Sequence, residues 1–160
     1  MFRSLFACLG LYLAWSGSLG AEPLKLDRGD SICILGNTLP ERMQHDGWLE
    51  TLIHSRFPTH DLTLRNLAFS GDTLTVRLRS AGFGEPDDFL TKFKADVVFA
   101  FFGFGESFAG EAGLAQFRTD LEAFIEHTRG QKYNGESAPQ IVLFSPIAYE
   151  NIGDRNLPDG

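Results

Sequence analysis

A chain of 160 residues with 43% hydrophobic side chains carries enough material for one domain with a real core, and too little length for a second full one. Its formal net charge is −7, from 14 Lys and Arg against 21 Asp and Glu, and no run of basic residues compensates locally. Phosphate backbones find nothing to neutralise here, so no nucleic-acid partner is expected.

The first stretch, MFRSLFACLGLYLAWSGSLGAEP, has a basic residue at Arg3, an apolar run from Leu5 to Trp15, and small residues at Ser18, Gly20 and Ala21. This is the grammar of a secretory signal peptide over residues 1–21, cut near Gly20 or Ala21. The run is short of the roughly 20 residues that span a bilayer, so no stable membrane insertion is expected after cleavage. Too few residues precede Cys8 for it to serve as a lipoprotein site. Export also leaves Cys33 as the sole thiol, and no intrachain disulfide can then form. Cys33 lies in the apolar run Ser31 to Leu35 and reads as a small buried hydrophobe. Neither Cys-x-x-Cys nor His-Glu-x-x-His occurs, and no metal or other cofactor is expected.

Residues 22–160 read as one domain. Four apolar runs, Ile32 to Leu35, Leu62 to Leu67, Val97 to Phe102 and Ile141 to Phe144, predict strands. Between the first two, Trp48, Leu49, Leu52, Ile53 and Phe57 recur at helical spacing and Pro58 ends the segment. Pro86 to Lys94 suits a short helix. Leu114, Phe117, Leu121, Phe124, Ile125 and Thr128 predict a longer one, stopped at Gly130, with a loop from Gly130 to Pro139. Strands this apolar, alternating with helices, imply an α/β fold: a parallel sheet covered on both faces, in the order β-α-β-α-β-α-β. From Tyr149 the chain turns polar and turn-rich and ends without a closing helix or fifth strand, so the fold reads as truncated at its C-terminus.

In an open parallel sheet ligands bind beyond the carboxyl ends of the strands. Three loops there pair glycine with polar side chains: Gly36-Asn37-Thr38-Leu39, Ser70-Gly71-Asp72-Thr73 and Gly103-Phe104-Gly105-Glu106. Glycine lets backbone approach a ligand and offers N–H groups as oxyanion donors.

These runs resemble the sequence blocks of the SGNH (GDSL-type) ester hydrolases. Ile34-Leu35-Gly36-Asn37-Thr38-Leu39 is similar to block one, with Thr38 on the position of the nucleophilic serine. Asn66 to Thr73 resembles block two, with Gly71 on the oxyanion glycine. Gly103 to Glu106 resembles block three, with Gly105 where the family has an oxyanion asparagine. The resemblance runs from about Gly29 to Gly160, and phrases such as RMQHDGWLE and NLPDG look like SGNH-type domains of large exported planctomycete proteins. It implies a three-layer α/β/α sandwich of flavodoxin-like type and an acyl-enzyme mechanism on carboxylic esters, such as acetylated glycans or lipid esters. Oxyanion donors would come from Thr38, Gly71 and Gly105. The family's Asp-x-x-His is absent, so base and orienting acid are expected beyond Gly160, together with any fused domains. No Cys-x-x-Cys-His is present for haem.

Each residue has a plainer reading beside the functional one. Thr38-Leu39-Pro40-Glu41 is a capping box, with Thr38 as N-cap and Glu41 at N3, and nucleophile and cap can coexist. Gly71 suits any turn needing positive φ, and Asp72 and Thr73 suit capping of the next segment. Glu106 reads as a solvated carboxylate, and His45 and His54 as surface residues. His127 falls in a helix's last turn, where the dipole favours a cation. Phe99, Phe101 and Phe102 read as core. Phe104 and Phe108, with Asn37, are the candidates for a substrate pocket. Two rivals to the esterase stand: a non-catalytic domain binding glycan or a protein partner in the same cleft, and a flavodoxin-like phosphate or nucleotide binder using Gly36 to Thr38.

Overall fold

The computed structural model of the chain describes residues 23–79, 82–147 and 155. The expected signal segment, and all of the polar stretch 149–160 except Arg155, lie outside them. The four apolar runs form strands β1 (Ser31–Gly36), β2 (Thr63–Asn66), β3 (Val97–Phe101) and β4 (Gln140–Phe144). All pair in parallel, in the order β2-β1-β3-β4. The helices are α1 (Thr38–Met43), α2 (Trp48–Arg56), α3 (Pro86–Lys92), α4 (Phe104–Ser107) and α5 (Gly110–Arg129). The fold is an α/β fold of flavodoxin-like type, as the alternation of runs predicts.

Side chains alternate across a strand, so each central strand feeds two cores. Cys33 and Leu35 of β1 and Val98, Ala100 and Phe102 of the β3 segment face one layer, where Leu90, Phe117, Leu121 and Phe124 of α3 and α5 cover them. Ile32, Ile34, Val97, Phe99 and Phe101 face the other, against Met43, Leu49, Ile53 and Phe57. Phe99, Phe101 and Phe102 are buried, in keeping with the core reading.

The helical stripes are narrower than their sequence patterns. Trp48 is 73% exposed and Leu52 64%, so α2 seats only Leu49 and Ile53, with Phe57 just beyond its end. In α5, Leu114 is 62% exposed while Phe117, Leu121, Phe124 and Thr128, at helical spacing, face inward. Gly130 does cap α5, but in a right-handed conformation, without the left-handed turn usual at helix ends. Cys33 is wholly buried, and burial pushes its thiol up to about 11.

Entry into β1 is fixed by side chains. The Ser31 backbone N–H donates to Asp96 Oδ2 at 2.8 Å, and Ser31 Oγ donates to the Phe93 carbonyl at 2.8 Å. That anchoring sets where β1 ends, and so where its loop meets solvent.

Candidate functional site

β1 leaves the sheet through Gly36, whose φ of +145° is available to glycine alone. A Cβ there would stand 2.5 Å from the Phe101 carbonyl oxygen and 2.9 Å from Pro40 Cγ. The missing side chain lets the end of β1 lie against the end of β3. Asn37 follows, buried at 7% exposure, with its backbone N–H donating to that Phe101 carbonyl at 3.4 Å.

The capping box needs correction by one residue. Asn37, not Thr38, is the N-cap of α1: its Oδ1 accepts from the Leu39 N–H at 3.3 Å. Asparagine caps as well as any residue, and one bond satisfies that donor. Thr38 becomes the first helical residue, exposed, and its hydroxyl has no hydrogen bond among the described residues. Glu41 turns elsewhere, accepting from Ser70 Oγ and Gln44 Nε2, each at 3.1 Å.

Thr38 stands at the edge of a cavity of about 230 Å³. Asn37, Leu39, Phe101, Phe102, Phe104 and Phe144 form most of its wall, with Ser145 to Ile147 after β4. The walls are almost entirely apolar. Asn37, Thr38 and Phe104 are thus brought together. Phe108 lies outside the lining, 58% exposed, with its ring edge-on to Phe104 at 5.4 Å.

Gly71 and Gly105 line neither this cavity nor its neighbour. Gly71 has φ +86° and is exposed; a Cβ on it would meet Leu78 Cδ1 at 2.6 Å. Gly105 is the second residue of α4, and a Cβ on it would lie 3.2 Å from Thr73 Cγ2. The block-two and block-three loops therefore touch through Thr73.

Two plain readings in these loops are overturned. Glu106 is a clamp rather than a solvated carboxylate: Oε1 accepts from the Leu74 N–H at 2.8 Å and Oε2 from the Gly103 N–H at 3.0 Å. Two backbone donors hold that side chain half-buried between the loops. Asp72 caps no helix, since the next one begins at Pro86; it is 3% exposed and pairs with Arg79 Nη2 at 2.9 Å. Thr73 Oγ1 accepts from the Val76 N–H at 3.0 Å, closing a turn.

No histidine lines the Thr38 cavity. His45 and His54 are exposed, and His60 packs against Phe57. His127 lies in the last turn of α5, where Nε2 is 2.7 Å from Asp87 Oδ2. Tyr133 donates its hydroxyl to the other Asp87 oxygen at 2.6 Å, and burial followed by this bond raises the Tyr133 phenol above its usual range. That trio lines a separate cavity of about 390 Å³ between α3 and α5, sharing no residue with the Thr38 cavity.

A third cavity, of about 340 Å³, opens between the loops after β1 and β2. Arg77, Arg79, Phe69, Phe83 and Phe89 line it, and it shares Phe102 with the Thr38 cavity. No periodic pattern spans 72–85, and the alternation of Arg77 and Arg79 is the local feature that could have marked this wall.

Fold and cleft position define a flavodoxin-like α/β protein whose Thr38 cavity and its neighbour open where open parallel sheets hold ligands. No protein-family model matches the chain, and no curated protein matches it. Among solved structures it is similar to BT4096, a gut microbial diltiazem-metabolizing enzyme, with TM-score 0.50 and 16% identity over 77% of this chain. That match covers 28% of the enzyme's chain, so the present chain corresponds to well under a third of it. At this identity the likeness is one of fold.

Proposed function

We infer that this chain belongs to an exported SGNH-type ester hydrolase, acting on carboxylic esters of acetylated glycans or lipids through an acyl-enzyme at Thr38. One observation carries the reading. Thr38 is the residue after the cap, at the carboxyl end of a central strand, with a hydroxyl that no described group occupies and an apolar cavity beside it. The similarity in fold to an enzyme that metabolizes diltiazem supports an enzymatic use of this scaffold.

In the proposed reaction Thr38 Oγ attacks the ester carbonyl and a base takes its proton. The protonated base returns the proton to the leaving alkoxide, which departs as the alcohol. The base then takes a proton from water, which attacks the acyl-Thr38, and returns it to Thr38 Oγ as the acid is released. Thr38 supplies the proposed oxyanion N–H at the cavity; Gly71 and Gly105, on the family's other donor positions, line neither that cavity nor its neighbour, so the proposal requires their loops to close on the substrate. The apolar cavity takes the acyl group, against Phe104. None of the four histidines lies at the cavity, so the proposal assigns base and orienting acid to chain beyond Gly160.

A non-catalytic binding domain is the second reading, favoured by that same lack of a base at the cavity among the described residues. The test is kcat on p-nitrophenyl acetate for the chain extended past Gly160. Thr38→Ala should abolish turnover, because nucleophile and base act as a unit. Gly105→Asn, combined with Thr73→Ser to relieve the 3.2 Å approach, should raise kcat about tenfold or more, as an added oxyanion donor does. If the extended chain hydrolyses nothing and these changes do not awaken it, the cleft is a binding site.

A further inference from the structure

The cavity between the β1 and β2 loops holds two arginines in different states. Arg79 is spent: Nη2 binds Asp72 Oδ2 at 2.9 Å and the Leu67 carbonyl at 2.9 Å, and its guanidinium lies 5.0 Å over Phe69 and 5.1 Å over Phe83. Arg77 is not. Among the described residues its sole hydrogen bond goes to the neighbouring Val76 carbonyl at 3.4 Å, and no carboxylate of those residues lies within ion-pair distance. A guanidinium carries five N–H donors in a planar fork, so four are unspent.

The other charges that line this cavity, and Glu106, which lies off its lining, are accounted for. Asp72 is neutralised by Arg79. Glu41 pairs with Arg42 at 3.3 Å and accepts from Ser70 and Gln44. Glu106 is taken up by two backbone N–H groups. Arg77 is the cation left over, half-buried, with its guanidinium 5.3 Å over the Phe102 ring. Burial lowers its pKa from the ordinary arginine value.

We propose that this cavity is a binding site for a carboxylate borne on a six-membered ring, an aromatic acid or a uronate, held by the Arg77 fork with its ring against Phe69, Phe83 and Phe89. A carboxylate matches the fork in two parallel hydrogen bonds, which a point charge cannot reproduce. Phe69, Phe83 and Phe89 line the same cavity and offer apolar ring surface beside the fork. A volume of about 340 Å³ accepts one ring with its carboxylate and falls within the range of small-molecule sites. The net charge of −7 opposes an approaching anion at long range, so recognition rests on short-range contacts.

The experiment is calorimetric titration of the purified chain with benzoate and with glucuronate, using benzamide as the neutral isostere and inorganic phosphate as the tetrahedral anion. The expected result is saturable binding of at least one ring carboxylate, with benzamide and phosphate at least tenfold weaker. Relative affinity then separates aromatic acid from uronate. Arg77→Lys keeps the charge and loses the fork, and should weaken binding about ten- to a hundredfold, the worth of a charge-assisted bond. Phe83→Leu should weaken it several-fold while leaving Arg77 in place, which tests the site even if an Arg77 variant misfolds. Benzamide binding as tightly as benzoate, Arg77→Lys within twofold of the parent, tighter phosphate binding, or no binding of either acid would overturn the assignment. Ester hydrolysis enters no arm, so the outcome is independent of the Thr38 reading.

Discussion

Gly36→Ala tests the strand-end contact on which the Thr38 loop depends. A methyl group at Gly36 lands 2.5 Å from the Phe101 carbonyl oxygen, 2.8 Å from Phe101 Cβ and 2.9 Å from Pro40 Cγ. The first two belong to β3 itself, so no side-chain rotation clears them. Forcing extra volume into such packing costs about 1–3 kcal/mol, and holding alanine at this φ costs about 1–3 kcal/mol more. Their sum, roughly 4 kcal/mol, is a large fraction of the 5–15 kcal/mol that keeps a domain folded. Gly29→Ala is the control: its φ is +91°, but nothing lies within 4 Å of the added carbon, so it pays the conformational cost alone. Urea unfolding of both variants isolates the clash, which should amount to about 2 kcal/mol or more at equal m-value. If the two lose stability equally, β1 and β3 do not meet at Gly36 as described.

Three other substitutions bear on the loops and core. Arg79→Met should cost about 3–5 kcal/mol in urea unfolding by stranding the buried Asp72 carboxylate, and adding Asp72→Leu should recover much of it. Glu106→Ala should cost about 2 kcal/mol by orphaning the Leu74 and Gly103 N–H groups, whereas Glu106→Gln, which keeps one acceptor, should cost less. The Cys33 thiol, raised from 9.0 to about 11, holds its proton longer folded than unfolded, so its contribution is intact below pH 9 and is lost as pH rises towards 11. Between pH 8 and 11 the parent should lose roughly 2 kcal/mol more than Cys33→Ala, read from denaturant midpoints at each pH.

The central strands β1 and β3 were legible because both their faces are covered, so each is written as an unbroken apolar run and ends within a residue of it, whereas the edge strand β2 alternates Leu62 and Leu64 with Thr63 and Arg65. α2 was less so: its stripe includes Trp48 and Leu52, which no partner covers, and periodicity cannot tell an apolar residue that packs from one that does not. The clamp at Glu106 was illegible because the Leu74 N–H it serves is 32 residues away. Asp72 read as a cap for the next segment because no local pattern marks Arg79, on the far side of the turn at Thr73, as its partner. The Thr38 position was readable from the strand-loop-helix grammar, while its cavity depends on Phe144 and Ile147, supplied by β4 and the segment after it.

Most motif residues at this cleft have a structural occupation that would retain them whether or not chemistry occurs. Gly36 permits the contact of β1 with β3, Asn37 caps α1, Asp72 balances Arg79 and Glu106 ties two loops together. Resemblance to a hydrolase at those positions therefore weighs little for catalysis. Thr38 is the exception, since its exposed hydroxyl bonds to nothing described and the neighbouring asparagine already fills the cap. Thr38→Val keeps the shape and removes the hydroxyl. With no cap to lose, its stability should stay within about 0.5 kcal/mol of the parent, as for an ordinary surface change. Asn37→Ala should cost about 1 kcal/mol, the usual worth of a helix cap. Under the esterase reading the extended chain bearing Thr38→Val should lose turnover completely while unfolding at the parent's urea midpoint. A Thr38→Val chain destabilised as much as Asn37→Ala would show that the hydroxyl is the cap after all, and would remove the argument for Thr38 as nucleophile.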